Sequence, residues 1–208
     1  MMKPAQVSLS TPEKNDSIFQ WYNNIMENES KYGTLFEPVI TEIQIRLRIS
    51  QLAEKMAAEL QGKDILALSI LKGAFMFTAD LLRKLYDLGM NPDLDFIRAV
   101  SYGRSTESSD KIVLEVDKSI EIKGRSVLII DDIVDTGRTL FHIKERLISL
   151  GADEVMSCVL LDKPSRRKVE FHPDWVGFEI PDLFVVGYGM DYAERYRYLP
   201  FITTVDRT

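Results

Sequence analysis

The sequence predicts an α/β fold with a central, mostly parallel sheet flanked by helices. From Asp64 onward, apolar runs of strand length alternate with segments of helical periodicity. Strands that are apolar on both faces and separated by helices are typical of parallel sheets. The chain has 208 residues, of which 45% are hydrophobic and 28% are charged, so it can bury the core that such a sheet requires.

An N-terminal extension, residues 1–33, is predicted to precede the main domain, residues 34–208. Met1–Asn15 is polar and contains two prolines, so we expect a flexible arm there. Asp16–Ser30 has apolar residues at helical spacing, which predicts a short amphipathic helix.

The domain is predicted to open with a long helix, Thr41–Leu60, which Gly62 ends. One stripe of this helix is apolar and should face the core; its members are Ile45, Ile49, Leu52, Met56 and Leu60. The next elements are predicted to be a strand at Ile65–Leu71, a helix at Phe75–Leu88 that Gly89 closes, and a strand at Leu94–Val100.

A polar stretch, Ser101–Asp110, follows the second strand and is too long for a tight turn. Long polar loops of this kind are often lids over binding sites. Beyond this stretch, Ile112–Val116 and Ser119–Ile122 are predicted to pair as a hairpin.

The alternation of strands and helices continues to the C-terminus. A helix carrying Leu140, Ile143, Leu147 and Leu150 should end at Gly151. The strands are predicted at Ser126–Ile130, Glu154–Leu161, Trp175–Glu179 and Leu183–Gly187.

The charge balance argues against a polyanionic partner. The chain has 26 Lys and Arg residues against 32 Asp and Glu residues, a net charge of −6, whereas binding to nucleic acid or to an anionic membrane depends on basic residues.

The single cysteine, Cys158, excludes an intrachain disulfide and is predicted to be a core residue. Because there is neither a secretory signal nor a membrane-spanning apolar run, we expect a cytoplasmic protein.

The segment Val127–Leu140, VLIIDDIVDTGRTL, carries the clearest chemical signal. An apolar strand ends in two carboxylates, Asp131 and Asp132, and the loop Asp135–Thr139 opens a helix. Helix N-termini present unpaired N–H groups that suit phosphate, and open α/β sheets bind ligands at the carboxyl ends of their strands. Gly137 lets the backbone of the loop approach an anion closely.

The acidic residues of this segment require a ligand that also suits carboxylates. A ribose diol that donates hydrogen bonds, or a bound Mg²⁺ ion, would fit. Two common phosphate motifs are excluded by spacing. A Walker A loop needs a second glycine upstream and a lysine where Arg138 stands, and a dinucleotide fingerprint needs three glycines.

This segment resembles the phosphoribosyl pyrophosphate motif of the type I phosphoribosyltransferases. Five further segments resemble, in matching order, the hypoxanthine-guanine phosphoribosyltransferases of that family; they are LKG at 71–73, SYG at 101–103, LDKPSRR at 161–167, VGFEIPDLFVVGY at 176–188 and MDYAERYR at 190–197. The resemblance begins near Leu35 and runs to the C-terminus. It implies the type I fold, with a small hood subdomain from the N- and C-terminal parts and a flexible active-site loop.

By this resemblance, the protein would transfer phosphoribose from phosphoribosyl pyrophosphate to N9 of hypoxanthine or guanine and release pyrophosphate, with Mg²⁺ required. The family implies that Asp131 and Asp132 hold the ribose hydroxyls, directly or through the metal. It also implies that Asp135 lies near purine N7 as the general base. The residues implied to bind the 5′-phosphate are Asp135, Thr136, Gly137, Arg138 and Thr139.

The family also implies a set of residues for the purine and the pyrophosphate. Lys163 would donate a hydrogen bond to O6 and would repel the amino group of adenine. Phe184 would stack on the base, and the backbone of Val185 would read its edge. Asp191 would bind Mg²⁺ beside the purine, and Arg197 would bind the pyrophosphate.

Two mobile or strained features are implied as well. Leu71–Lys72 would be a non-proline cis peptide which, with Gly73, aims backbone groups at the pyrophosphate. Ser101 and Tyr102 would belong to the loop that closes over the transition state. The family resemblance further implies a homodimer or homotetramer.

Two other functions stay open. One is a non-catalytic regulator that senses phosphoribosyl pyrophosphate, although the acidic chain has no basic cluster for DNA or RNA. The other is a phosphoribosyltransferase that prefers xanthine, because the substituent at purine C2 is read largely by backbone in this family.

Overall fold

Two β-sheets and three helices organise the described part of the chain. The structure, a computed structural model, describes residues 38–102, 111–115 and 120–205. The helices are α1 (Glu42–Leu60), α2 (Phe75–Asp87) and α3 (Arg138–Ser149). The strands are β1 (Pro38–Ile40), β2 (Ile65–Leu71), β3 (Asp93–Tyr102), β4 (Lys111–Glu115), β5 (Ser126–Val134), β6 (Glu154–Asp162), β7 (Trp175–Glu179), β8 (Val185–Val186) and β9 (Ile202–Thr204). These residues belong to one compact unit, Pro38–Thr208, so the predicted extension, its helix and its boundary at residue 34 lie outside them.

The larger sheet has six strands in the order β4-β3-β2-β5-β6-β7. Its pairings are parallel except that of β3 with β4, which is antiparallel. Alternate residues of a strand point to opposite faces. On β2, Ala67 packs in the core that contains α1 and α2, whereas Leu66 and Leu68 pack in the core that contains α3. The predicted parallel sheet with flanking helices is therefore confirmed.

Helix α1 begins and ends where the sequence predicts. The Thr41 hydroxyl accepts a hydrogen bond from the Gln44 N–H at 3.3 Å, and the Gln44 side chain accepts one from the Thr41 N–H at 2.8 Å, which is a capping box. Gly62 follows the helix with a φ of +80°. All five residues of the predicted apolar stripe are buried. No described helix is long and apolar enough to cross a membrane.

A second, antiparallel sheet of three strands has the order β1-β9-β8. It joins the two ends of the described chain, because Ile40 pairs with Ile202 and Val186 pairs with Thr203. This sheet corresponds to the hood subdomain that the family resemblance implies. The predicted strand Leu183–Gly187 is shorter in the structure, because its end residues form turns instead: the Leu183 N–H donates to Pro181 and the Gly187 N–H donates to Met190.

The predicted hairpin of Ile112–Val116 with Ser119–Ile122 is wrong. β4 instead pairs with β3, with Val100 opposite Val113, and residues 120–122 are not in a strand. Alternating polarity identifies a strand but does not identify its partner, which depends on the rest of the sheet.

Strand β5 is longer than predicted. Its pairing with β2 ends at Ile130, opposite Ser69, but its pairing with β6 continues to Val134, opposite Asp162. Asp131 and Asp132 are therefore strand residues and not the first residues of a loop. Composition marks the end of an apolar run, whereas the neighbouring strand decides where the hydrogen bonds stop.

Cys158 is fully buried in β6, as predicted for a core residue, and burial raises the pKa of its thiol. We expect this thiol to resist a disulfide-exchange reagent in the native protein, because both access and ionisation are suppressed. It should react fully once guanidinium chloride unfolds the chain. The chain has one cysteine, so the absorbance of the released thiolate reports on this residue alone. Rapid labelling of the native protein would contradict its burial.

Candidate active site

The loop after β2, the end of β5 and the C-terminal segment meet in a cleft of about 640 Å³. The predicted residues that line it are Lys72, Gly73, Asp131, Asp132, Asp191 and Arg197. Glu194, which the sequence analysis did not single out, lies among them. The fold therefore gathers side chains that are more than a hundred residues apart in the chain.

Asp131 and Asp132 put two adjacent carboxylates at this cleft. Asp131 is 7% exposed. Its carboxylate accepts a hydrogen bond from the Asp132 N–H at 3.0 Å, and that of Asp132 accepts one from the Ile133 N–H at 2.9 Å. Burial raises the pKa of Asp131 well above its usual value, and the charge of Asp132 raises it further. Burial also raises the pKa of Asp132. The pair favours a ligand that is cationic or donates hydrogen bonds.

Two glycines let the walls of the cleft approach each other. A Cβ atom on Gly73 would lie 1.7 Å from Oδ2 of Asp132, and one on Gly189 would lie 2.0 Å from the carbonyl oxygen of Gly73. Gly189 also has a φ of +101°, which residues with side chains rarely adopt. The peptide bond between Leu71 and Lys72 is cis, as predicted. The loop after β2 is thus packed tightly between β5 and the C-terminal segment.

Arg197 and Lys72 bring positive charge to the cleft, and both contact acidic residues. Nη2 of Arg197 lies 2.8 Å from Oδ1 of Asp191 and 3.2 Å from Oε2 of Glu194. Nζ of Lys72 lies 3.0 Å from Oε1 of Glu194. Lys72, followed by Arg197, lowers the pKa of Glu194. Nε of Arg197 is buried without a hydrogen-bond partner among the described residues.

The predicted loop Asp135–Thr139 opens α3, but only its first three residues connect β5 to the helix, because Arg138 and Thr139 already belong to the first turn. Gly137 precedes the helix with a φ of +80°, and a Cβ atom there would lie 2.8 Å from Cδ of Arg167. Both the backbone conformation and the available space therefore require glycine. The first turn of α3 leaves backbone N–H groups without partners inside the helix, which is the arrangement that suits phosphate.

The segment that follows β6 holds this loop in place. Three hydrogen bonds connect them: from the Lys163 N–H to the Val134 carbonyl at 3.0 Å, from the Arg167 guanidinium to the Asp135 carbonyl at 2.7 Å, and from the Lys168 N–H to the Thr136 carbonyl at 3.0 Å. Arg167 also forms an ion pair with Asp162, and both side chains are largely buried. The loop and the segment therefore form one rigid unit.

Four charged residues, Asp135, Lys163, Arg166 and Asp182, form what we name the four-charge network. Nε of Arg166 donates to Oδ1 of Asp135 at 2.9 Å, and its Nη1 lies 3.4 Å from Oδ2 of Asp182. Lys163 is 7% exposed, and its Nζ lies 3.7 Å from Oδ1 of Asp182. Asp135, followed by Asp182, raises the pKa of Arg166. Two cations and two anions make the network neutral.

Phe184 and Val185 follow Asp182 in the chain. Phe184 is half-buried, and its ring meets that of Tyr192 edge to face with the ring centroids 5.7 Å apart. Val185 is buried in β8, where it pairs with Thr204. The small sheet therefore determines the position of the residues that are predicted to contact the base.

One expectation about the active-site loop is wrong, and another concerns residues outside the described part of the chain. Ser101 and Tyr102 were predicted to begin the flexible loop, but they end β3, because that strand pairs with β4 up to Tyr102. The rest of the predicted loop, residues 103–110, lies outside the described residues. Asp131, Asp132 and Asp191 line one cleft, yet residues 38–102, 111–115 and 120–205 contain no group of three or more Asp, Glu, His or Cys side chains that could hold a metal ion.

Sequence reasoning missed Arg166, Arg167, Asp182 and Glu194. All four stand inside the quoted motifs, so the motifs were the available signal. A single charged residue in a polar segment has no periodicity, and its importance becomes visible only when the partner of opposite charge is found in space.

Comparisons with known proteins identify the family of the chain. A model of the phosphoribosyl transferase domain matches residues 40–193. The chain is 43% identical over 164 residues to the hypoxanthine-guanine phosphoribosyltransferase of Bacillus subtilis, which covers 79% of this chain and 89% of that protein. It is 40% identical over 189 residues to the bifunctional protein TilS/HprT of Listeria monocytogenes; this match covers 91% of the chain but spans only 29% of the relative's length.

A solved structure gives the same answer for the fold. The hypoxanthine phosphoribosyltransferase of Staphylococcus aureus superposes with a TM-score of 0.78 at 38% identity, and the match covers 88% of this chain and 96% of that one. The family match includes the β5 motif, the loop Asp135–Thr139 and Lys163. The chain therefore belongs to the phosphoribosyltransferase family, in the group of the hypoxanthine-guanine phosphoribosyltransferases.

Proposed function

We propose that this protein transfers phosphoribose from phosphoribosyl pyrophosphate to N9 of hypoxanthine or guanine and releases pyrophosphate. The observation that carries the proposal is the placement of Asp135 and Lys163. They lie at the ends of two neighbouring strands, beside a phosphate-binding loop, and Arg166 and Asp182 link them through contacts of 2.9, 3.4 and 3.7 Å. A base bound there meets a hydrogen-bond acceptor and a buried donor.

Asp135 is proposed to act as the general base. When purine N9 forms its bond to the ribose carbon, the imidazole ring becomes more acidic and must lose the proton on N7. A carboxylate within hydrogen-bond reach of N7 can accept that proton. The backbone of Asp135 is held by Arg167 at 2.7 Å, which supports a fixed position for the carboxylate.

Lys163 is proposed to select 6-oxopurines. Its side chain is buried, so little water can replace a missing acceptor. The O6 atom of hypoxanthine or guanine accepts its hydrogen bond, whereas the amino group of adenine places a donor against a donor. Leaving a buried donor unpaired costs about 1–3 kcal/mol, which is enough to discriminate between the two classes of base.

The phosphate groups of the substrate are proposed to bind at two places. The 5′-phosphate would bind in the loop Asp135–Thr139 through backbone N–H groups and the hydroxyls of Thr136 and Thr139. The pyrophosphate would bind in the cleft through Lys72 and Arg197, beside the backbone of Gly73, and would take over the cations that now contact Glu194.

Mg²⁺ fits the cleft through Asp131 and Asp132, whose burial and mutual repulsion raise the pKa of Asp131. In nucleotide sites this ion uses one or two carboxylates together with substrate phosphates and water, so a larger acidic cluster is not required. The metal would neutralise charge on the leaving pyrophosphate. Both carboxylate oxygens of Asp191 already have partners, in Arg197 and in the Glu194 N–H, so Asp191 would have to exchange them to bind metal.

A spectrophotometric assay with Mg²⁺, phosphoribosyl pyrophosphate and one base at a time tests the proposal. We expect turnover with hypoxanthine or guanine and none with adenine, and the same assay tests a preference for xanthine. Binding of phosphoribosyl pyrophosphate without turnover of any base would favour the regulator instead.

A cytoplasmic homodimer or homotetramer is also proposed, on family resemblance, and sedimentation equilibrium tests the assembly.

Asp135→Asn tests the general base. The amide keeps an oxygen that can accept from Arg166 but cannot take a proton, so kcat should fall about 10²- to 10⁴-fold. The KM for phosphoribosyl pyrophosphate should change little, because the phosphate-binding backbone is preserved. Steady-state kinetics measure both values, and a variant with unchanged kcat would remove the base assignment.

Lys163→Gln tests the selection of the base. The amide can donate or accept, so the variant should lose about 10- to 100-fold in kcat/KM for hypoxanthine and should reject adenine less strongly. Parallel assays with hypoxanthine and adenine give the ratio. If both bases behave as they do in the unaltered protein, Lys163 does not contact the base.

Asp131→Asn tests the metal site through stability. Removing one of two buried, mutually repelling carboxylates should raise the unfolding midpoint of the metal-free protein by about 2–4 °C for each kcal/mol of repulsion relieved. Mg²⁺ should then stabilise the variant less than the unaltered protein, and turnover should fall. Thermal unfolding with and without Mg²⁺ measures these effects. Asp153→Asn is the matched control for the loss of charge, because Asp153 is an exposed aspartate between α3 and β6. Equal stabilisation of both variants by Mg²⁺ would contradict the assignment.

A further inference from the structure

Arg166 holds the carboxylate that the proposed function assigns to the purine. Its guanidinium contacts the carboxylate of Asp135 at 2.9 Å and that of Asp182 at 3.4 Å. Oδ1 is the oxygen of Asp135 that Arg166 contacts. A base whose ring N–H approaches this oxygen therefore competes with Arg166 for it.

The backbone keeps Arg166 within reach of these two acids. It ends a short 3₁₀ turn, Pro164–Arg166, in which the Arg166 N–H donates to the Lys163 carbonyl at 3.0 Å. The Lys163 N–H in turn donates to the Val134 carbonyl of β5 at 3.0 Å. The turn is thus fixed to the sheet, while the side chain is 44% exposed and can rotate without disturbing the core.

Charge conservation shows how the network can open. A 6-oxopurine brings one N–H donor for Asp135 and one oxygen acceptor for Lys163. The base can therefore replace Arg166 as the partner of Asp135, and it can replace Asp182 as the partner of Lys163. The two groups released, Arg166 and Asp182, already lie 3.4 Å apart. Every charge keeps a partner before and after the base enters, which avoids the cost of an unpaired charge.

We propose that Arg166 is a displaceable placeholder for the purine, and that Asp182 is the latch that receives it when the base binds. This inference rests on the proposed function, because it assumes that a base binds between Asp135 and Lys163. Arg166 is a residue that determines the apparent affinity for the base. It does not take part in the chemical step.

Three variants test the placeholder at saturating phosphoribosyl pyrophosphate: Arg166→Gln, Asp182→Asn and the double variant. Exposed ion pairs of this kind change an equilibrium up to about five-fold. We expect Arg166→Gln to lower the KM for hypoxanthine about two- to five-fold, because a competitor is removed. Asp182→Asn should raise it, because Arg166 then loses its alternative partner at 3.4 Å, and this loss outweighs the release of Lys163 from its longer, 3.7 Å contact with Asp182. The double variant should behave like Arg166→Gln, since a latch has no effect without the residue that it holds.

Several readouts separate this role from a merely structural one. The KM for phosphoribosyl pyrophosphate and the unfolding midpoint should stay unchanged in Arg166→Gln. Arg146→Gln is the matched control, because Arg146 is an exposed arginine on α3 whose guanidinium contacts Ser149. It should leave the KM for hypoxanthine unchanged.

The results that overturn the inference differ from those that overturn the proposed function. A KM for hypoxanthine that rises or stays constant in Arg166→Gln, or effects of the two single changes that simply add, would refute the placeholder while the enzyme remained active. No turnover of any 6-oxopurine by the unaltered protein would refute the proposed function and the placeholder with it.

Discussion

Strand β5 pairs on both sides but not over the same length, and the cleft depends on this offset. Its hydrogen bonds to β2 stop at Ile130, whereas those to β6 continue to Val134. Asp131 and Asp132 therefore lie beside the space that a longer β2 would have filled. The loop after β2 and the C-terminal segment border this space. It lies beyond the carboxyl ends of the strands, where ligands bind in open α/β sheets.

The two halves of the site are balanced differently. The four-charge network is neutral, and each of its members has a partner within 3.7 Å. The pair Asp131 and Asp132 is not balanced, since burial and repulsion raise the pKa of Asp131 well above its usual value. Such a pair works against the stability of the folded chain, which is common where a site is built to receive a cationic or hydrogen-bonding ligand.

Rigidity in the site comes from backbone contacts more than from side chains. Gly73 and Gly189 bring two loops into contact where a Cβ atom would collide with its neighbours. The loop Asp135–Thr139 is tied to the segment after β6 by three hydrogen bonds to its own and the adjoining carbonyl groups. The proposed phosphate and base sites therefore share one backbone support, whereas Arg166 meets its partners through a partly exposed side chain.

Local signals in the sequence were enough to identify the elements and the chemistry of the main motif. A capping residue, a run of apolar side chains or a glycine at a turn predicts the ends of α1, the apolar strands and the β5 motif. The sequence did not determine the partner of β4, the true length of β5 or the pairing of Arg166 with Asp135 and Asp182. Those features depend on residues that are distant in the chain and meet only when the sheet is assembled. Local propensity describes neighbours along the chain, whereas strand pairing and ion pairing are decided by neighbours in space.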